Sequence, residues 1–135
     1  MKVLVDTSAW LALADQHDQS HRQATALFEQ LKAQRTVLVL SEWVLAESLT
    51  AIRHHVNFPA AVRFGRAVFD SHLAELVVSE ETLRRKAWAI FQRYDDKDFS
   101  FVDCTSFAVM EQLKLQTAFA FDRHFEQYGF HLLGQ

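Results

Sequence analysis

Short apolar runs with no room for a polar stripe constrain this chain most: KVLV, which stops at Asp6, then TVLVLS, LVVS, TAFAF, which stops before Asp122, and FHLL. A strand with one wet face alternates apolar and polar residues, so these runs read as strands buried between two layers. The segments between them have helical period. TSAWLALADQ follows the first run, and SHRQATALFEQLKAQR sets Ala24, Leu27, Phe28 and Leu31 on one helical face. Ser41 reads as the N-cap of EWVLAESLTAIRHHV, Pro59 marks a helix running to about His72, and Ser79 with Glu81 and Thr82 opens EETLRRKAWAIFQRY. After the polar loop DDKD comes a further helix, SFVDCTSFAVMEQLKL, while DRHFEQYG connects the last two strands. Strands alternating with helices predict an α/β chain, an α/β/α sandwich with a mainly parallel central sheet of about five short strands.

The length of 135 residues, half of them hydrophobic and 12 of them Phe, suits one core, and a single Pro with three Gly leaves no linker. A single domain over residues 1–135 is expected. Cys104 is the only cysteine, so no internal disulfide forms, and its apolar neighbours Phe101, Val102 and Phe107 suggest a buried thiol in a reducing compartment such as the cytoplasm. No stretch approaches the ~20 apolar residues of a membrane span. The net charge of −3 argues against nucleic-acid binding by bulk positive charge. It leaves room for a nuclease whose acidic site is neutralised by divalent cations.

In open parallel sheets, ligands sit beyond the carboxyl ends of the strands, where connections diverge to opposite faces. Asp6 and Asp122 both stand at such ends, and two helical acids join them, Glu47 in SEWVLAES and Asp103 in SFVDCTSF. Each has a plainer reading. Asp6 and Asp122 suit helix caps, and Asp103 follows Ser100 by three, as in a capping box. Glu47 has Trp43, Val44 and Ala51 at i−4, i−3 and i+4, an apolar surround in which its charge requires a partner. A set of four carboxylates suits Mg²⁺ or Mn²⁺ better than Zn²⁺.

Other chemistries fail on residue type. His54 and His55 are adjacent and point to different parts of a helix surface, His17, His21 and His72 read as surface residues, and no Cys/His pattern has zinc spacing. His124 lies near the site only by following Asp122. A dehalogenase-type phosphatase requires a second Asp two residues after the first, and position 8 is Ser. P-loop, G-x-S-x-G and G-x-G-x-x-G signatures are absent. The run Arg84, Arg85, Lys86 reads first as a solvated helix face and second as a phosphate-contacting patch.

Taken together, VLVDTSAW, LSEWVLAES, DKDFSFVDCTSFAVM and AFAFDRHFEQYGF resemble the PIN-domain family, and more closely the VapC toxins of bacterial type II toxin–antitoxin pairs. The ordered set, spaced over nearly the whole chain, carries the likeness. It implies a metal-dependent endoribonuclease that leaves a 5′-phosphate, with Asp6, Glu47, Asp103 and Asp122 as both the catalytic and the metal-binding acids. Asp6 and Asp103 would hold Mg²⁺ (or Mn²⁺) directly, Asp122 and Glu47 through water or a second ion, with Glu47 also assigned to orient or deprotonate the attacking water. Thr7, Ser8 and Ser100 match supporting hydroxyl positions. One departure is visible at Ala120, where such proteins often carry Thr or Ser. Asp95, Asp96 and Asp98 read as a solvated loop, with Asp98 kept as an outer acid.

The implied partners are an RNA substrate, a small antitoxin and a second copy of the chain, with DNA reached only through the antitoxin. The antitoxin would insert an Arg or Lys among the acids and lay an apolar segment near the second and third helices. Phe64, Phe69, Trp88 and Phe91 on the middle helices exceed what one small core obviously needs and suggest a homodimer. Two alternatives stay open: a PIN nuclease outside toxin–antitoxin systems, in RNA maturation or on structured DNA, and a catalytically silent PIN-like binding module.

Overall fold

The computed structural model describes residues 1–134. In chain order the elements are β1 Lys2–Val5, α1 Thr7–Ala14, α2 His21–Ala33, β2 Val37–Ser41, α3 Glu42–His55, α4 Phe58–Asp70, β3 Glu75–Val77, α5 Glu81–Arg93, α6 Phe101–Leu113, β4 Thr117–Phe119, α7 His124–Tyr128 and β5 His131–Leu132. All four strand pairings are parallel, and the sheet order is β3-β2-β1-β4-β5. The register aligns Val3 with Leu38 and Leu4 with both Val39 and Ala118.

Alternation along the strands sends side chains into two cores. Val3, Val5, Leu38 and Leu40 face α1 to α4, packing on Trp10, Leu31, Val44 and Val68. Leu4, Val39 and Ala118 face the other way, onto Ile90 of α5, Phe107 of α6 and Phe125 of α7. The layering follows from handedness. From β1 the chain steps one way to β2 and β3; it then returns to the far side of β1 for β4 and steps the opposite way to β5. Right-handed crossovers put the connecting helices of the two directions on opposite faces. The reversal lies between β1 and β4.

Local signals set most boundaries. Ser41 accepts from Val44 N at 3.1 Å, Asn57 accepts from Ala60 N at 2.8 Å ahead of Pro59, and Ser100 with Asp103 closes a capping box at the start of α6. Two boundaries differ from expectation. The N-cap of α5 is Glu80, whose side chain makes no cap bond, while the Ser79 amide donates to Glu42 of α3. The connector DRHFEQYG folds in part into α7, a five-residue helix too short to show a period. Phe125 anchors it with no exposed surface, and Gly129 at φ +121° lets the chain turn into β5.

Candidate active site

The amino acids that follow β1 and β4 meet at the chain reversal. Asp6 directly follows β1 and caps α1, and its Oδ2 accepts from Ser8 N at 3.2 Å and from Ser8 Oγ at 2.8 Å. The same Ser8 Oγ accepts from Phe121 N at 2.9 Å, so one hydroxyl ties the start of α1 to the segment leaving β4. Asp122 lies one residue further, and its Oδ1 accepts from His124 N at 3.0 Å. Asp103 comes from the first turn of α6, with Oδ2 accepting from Ser100 N at 3.0 Å.

Asp6 is thus the N-cap of α1 and Asp103 the acid of the α6 capping box, whereas Asp122 holds the first amide of α7 without being its cap, which is Arg123; the three also form one electrostatic group. Burial first, then the charge of Asp122, then that of Asp103, pushes the Asp6 carboxyl up to about 8. Burial and Asp122 likewise raise Asp103, against the opposing pull of Ser100 and His124. The bonds from backbone amides engage a single oxygen of each carboxylate. Among the described residues no hydrogen bond reaches Asp6 Oδ1, Asp103 Oδ1 or Asp122 Oδ2.

His124 completes the cluster, its Nδ1 sharing a hydrogen bond with Asp103 Oδ2 at 2.7 Å and standing 3.9 Å from Asp122 Oδ1. Asp103, Asp122 and His124 each present a ligand atom within 4.8 Å of the others. Its contact with Asp103 spans 21 residues, and its place after Asp122 was the only signal in the sequence. A donor set dominated by carboxylate oxygen, crowded enough to hold one acid protonated, fits a hard divalent cation.

Glu47 departs from expectation. It is exposed on α3, and no ion pair or hydrogen bond among the described residues involves it, so the apolar surround read from its helical neighbours does not bury it. Val44 and Ser48 turn inward instead, and Ser48 Oγ donates to Thr7 Oγ1 at 3.3 Å. One turn earlier Trp43 meets the ring of Phe101 at 5.6 Å, so α3 runs along the rim of the cluster from the start of α6 to the start of α1. Asp98 is an exposed loop residue outside the cluster, as are Asp95 and Asp96. Ala120 is fully buried and offers no hydroxyl; Ser8 supplies one to the next residue, Phe121. Of the aromatic residues expected at a dimer contact, Phe64 packs against Trp10 at 5.1 Å, whereas Phe69, Trp88 and Phe91 are exposed.

Residues 3–131 match the PIN domain family. The chain belongs to that family. This PIN domain is 35% identical over 128 residues to a Mycobacterium tuberculosis protein named 23S rRNA-specific endonuclease VapC20, covering 95% of each chain. It is 26% identical over 118 residues to an Archaeoglobus fulgidus protein named VapC ribonuclease, covering 86% of this chain and 74% of that one. The crystal structure of Mycobacterium tuberculosis VapC20, described as a sarcin-ricin-loop-cleaving toxin, matches the fold with a TM-score of 0.85, 35% identity and 95% of both chains covered. No helix among the described residues of the PIN domain is long and apolar enough to cross a membrane.

Proposed function

We propose that this chain is an Mg²⁺- or Mn²⁺-dependent endoribonuclease, the cytoplasmic toxin of a type II toxin–antitoxin pair, folded as one PIN domain over residues 1–135. The observation that carries the reading is the electrostatic coupling of Asp6, Asp103 and Asp122 beside the chain reversal, each with one carboxylate oxygen outside its bond to a backbone amide. Bound there, the cation would lower the pKa of a water and stabilise charge growing on the scissile phosphate. Asp6 and Asp103 would hold it with Asp122 and His124 completing the set, and the bonds from Ser8 and Ser100 fix the two leading carboxylates in orientation. Glu47, exposed at the rim beside Ser48, is free to orient the attacking water. Hydrolysis leaves a 5′-phosphate.

The 23S rRNA in the name of the Mycobacterium tuberculosis relative, and the sarcin-ricin loop in the description of its crystal structure, support a loop of ribosomal RNA as substrate. An apolar groove of about 530 Å³ between α1, α2 and α4, lined by Trp10, Leu13, Phe28 and Phe64, supports an antitoxin segment as partner. The exposed Phe69 on α4 supports pairing with a second copy. The test is cleavage of total RNA and of a sarcin–ricin stem-loop by purified protein. Cutting is expected with Mg²⁺ or Mn²⁺ and is expected to disappear with EDTA or in Asp103→Asn. Cutting that survives EDTA, or an Asp103→Asn variant as fast as wild type, would overturn the reading.

A further inference from the structure

The α5 helix departs from the acidic balance of the rest. Glu81–Arg93 carries Arg84, Arg85, Lys86 and Arg93 against the single acid Glu81 in a chain of net charge −3. On the same helix Trp88 and Phe91 are 48% and 41% exposed, with their rings stacked at 5.9 Å and 18°. Phe91 meets Phe101 edge-on at 5.9 Å, and Phe101 opens α6 two residues before Asp103. Arg84, Arg85, Trp88 and Phe101, with Glu81 at the edge of the set, line one hollow of about 380 Å³. A row of rings thus leads from the acidic site outward, with two guanidinium groups beside it.

We infer that this face of α5 is the track on which unpaired nucleotides of the RNA substrate lie next to the cleavage site, a base stacking on Trp88 and phosphates pairing with Arg84 and Arg85. The inference rests on the ribonuclease reading given above. Base stacking on an exposed ring tolerates any sequence, and paired arginines recognise phosphate in a fork. Both arginines keep donors for a phosphate. Arg84 gives one Nη1 donor to Ser79 O at 3.1 Å, and Arg85 stands 3.8 Å from Glu81 with both side chains about three-quarters exposed, a pair that water and phosphate readily displace. Charge argues for this occupant: four cations against the single acid Glu81 make the face complementary to the phosphates of RNA.

The experiment is binding of a fluorescein-labelled stem-loop RNA with an unpaired 3′ extension, in EDTA so that no cutting intervenes, alongside metal-dependent cleavage and sedimentation. Trp88→Ala is expected to weaken binding by about tenfold or more, with Trp88→Phe close to wild type. The double variant Arg84→Gln/Arg85→Gln is expected to reduce the slope of log K against log salt by about 1.4, the share of two single-stranded phosphates. Both should raise KM for cleavage more than they lower kcat. Unchanged affinity and salt slope in both variants would overturn the track. A loss of dimer without loss of RNA affinity would also overturn it, assigning the face to a subunit contact. RNA binding that responds to these variants in a protein that cuts no RNA would retain the track and reject the nuclease.

Discussion

The first turn of α6 and the turns behind it lie on one helix and follow opposite rules. Asp103 in the first turn is a buried acid whose carboxyl is raised by burial and by Asp122, so in isolation it weakens the fold. Phe107, one turn on, is fully buried and meets Tyr128 face to face at 4.3 Å, Phe99 at 5.0 Å and Phe125 at 5.1 Å edge-on. The α7 helix repeats the contrast in adjacent residues, with His124 on Asp103 and Phe125 in the core. Carboxylates that repel one another stay together because the aromatic cluster behind them leaves no freedom to separate. Stability and chemistry are thus carried by neighbouring residues with opposite signs of contribution.

The strongest way to break that division is from the core side. Phe107→Ala should cost about 3–5 kcal/mol, read as a lower midpoint in urea, because it removes a ring from four aromatic contacts. A loss below about 1 kcal/mol would mean that the cluster does not hold the site together.

From the site side the sign reverses. Folding raises Asp6 from 3.8 to about 8, so the stability tied to its proton is complete below pH 4 and is lost as pH climbs toward 8. Asp6→Asn, which retains a cap oxygen, should therefore stabilise the metal-free protein by a few kcal/mol at pH 7, at about 1.4 kcal/mol per pKa unit, and by nothing near pH 4. Thermal melts of both proteins in EDTA across that range check this. RNA cleavage by the same variant should fall to background.

Two smaller effects sharpen the comparison. Ser8→Ala removes the hydroxyl shared by Asp6 and Phe121 N, and should cost about 1–2 kcal/mol in stability and about 10–100-fold in cleavage rate. Glu47→Gln should leave the melting midpoint unchanged to within about 0.5 kcal/mol while slowing cleavage, since the side chain is exposed. A large loss of stability would restore the buried, partnered Glu47 that the sequence suggested.

What the sequence made legible was local. The apolar run before Asp6, the Ser41 cap and the Ser100 to Asp103 box each lie within a few residues, and each folds as read. The parallel sheet followed because unbroken apolar strands need cover on both faces, and helices supply it. Contacts closing over long loops were hidden. Ser8 meets Phe121 across 113 residues and His124 meets Asp103 across 21, and no periodicity announces either. Glu47 shows the limit of neighbour rules: apolar residues at i−3 and i−4 place a side chain next to a buried face without putting it inside. The α7 helix escaped because five residues make little more than one turn.

The central claim is that Asp6, Asp103 and Asp122, each bonded to a backbone amide, share one cation. Calorimetric titration of Mn²⁺ at pH 7, repeated in two buffers of different ionisation enthalpy, measures affinity and proton release together. With Asp6 raised to about 8, binding should expel close to one proton per ion, and Asp6→Asn should lose that proton and most of the affinity. Binding of equal strength in Asp6→Asn, or binding to wild type with no proton released, would contradict the shared site.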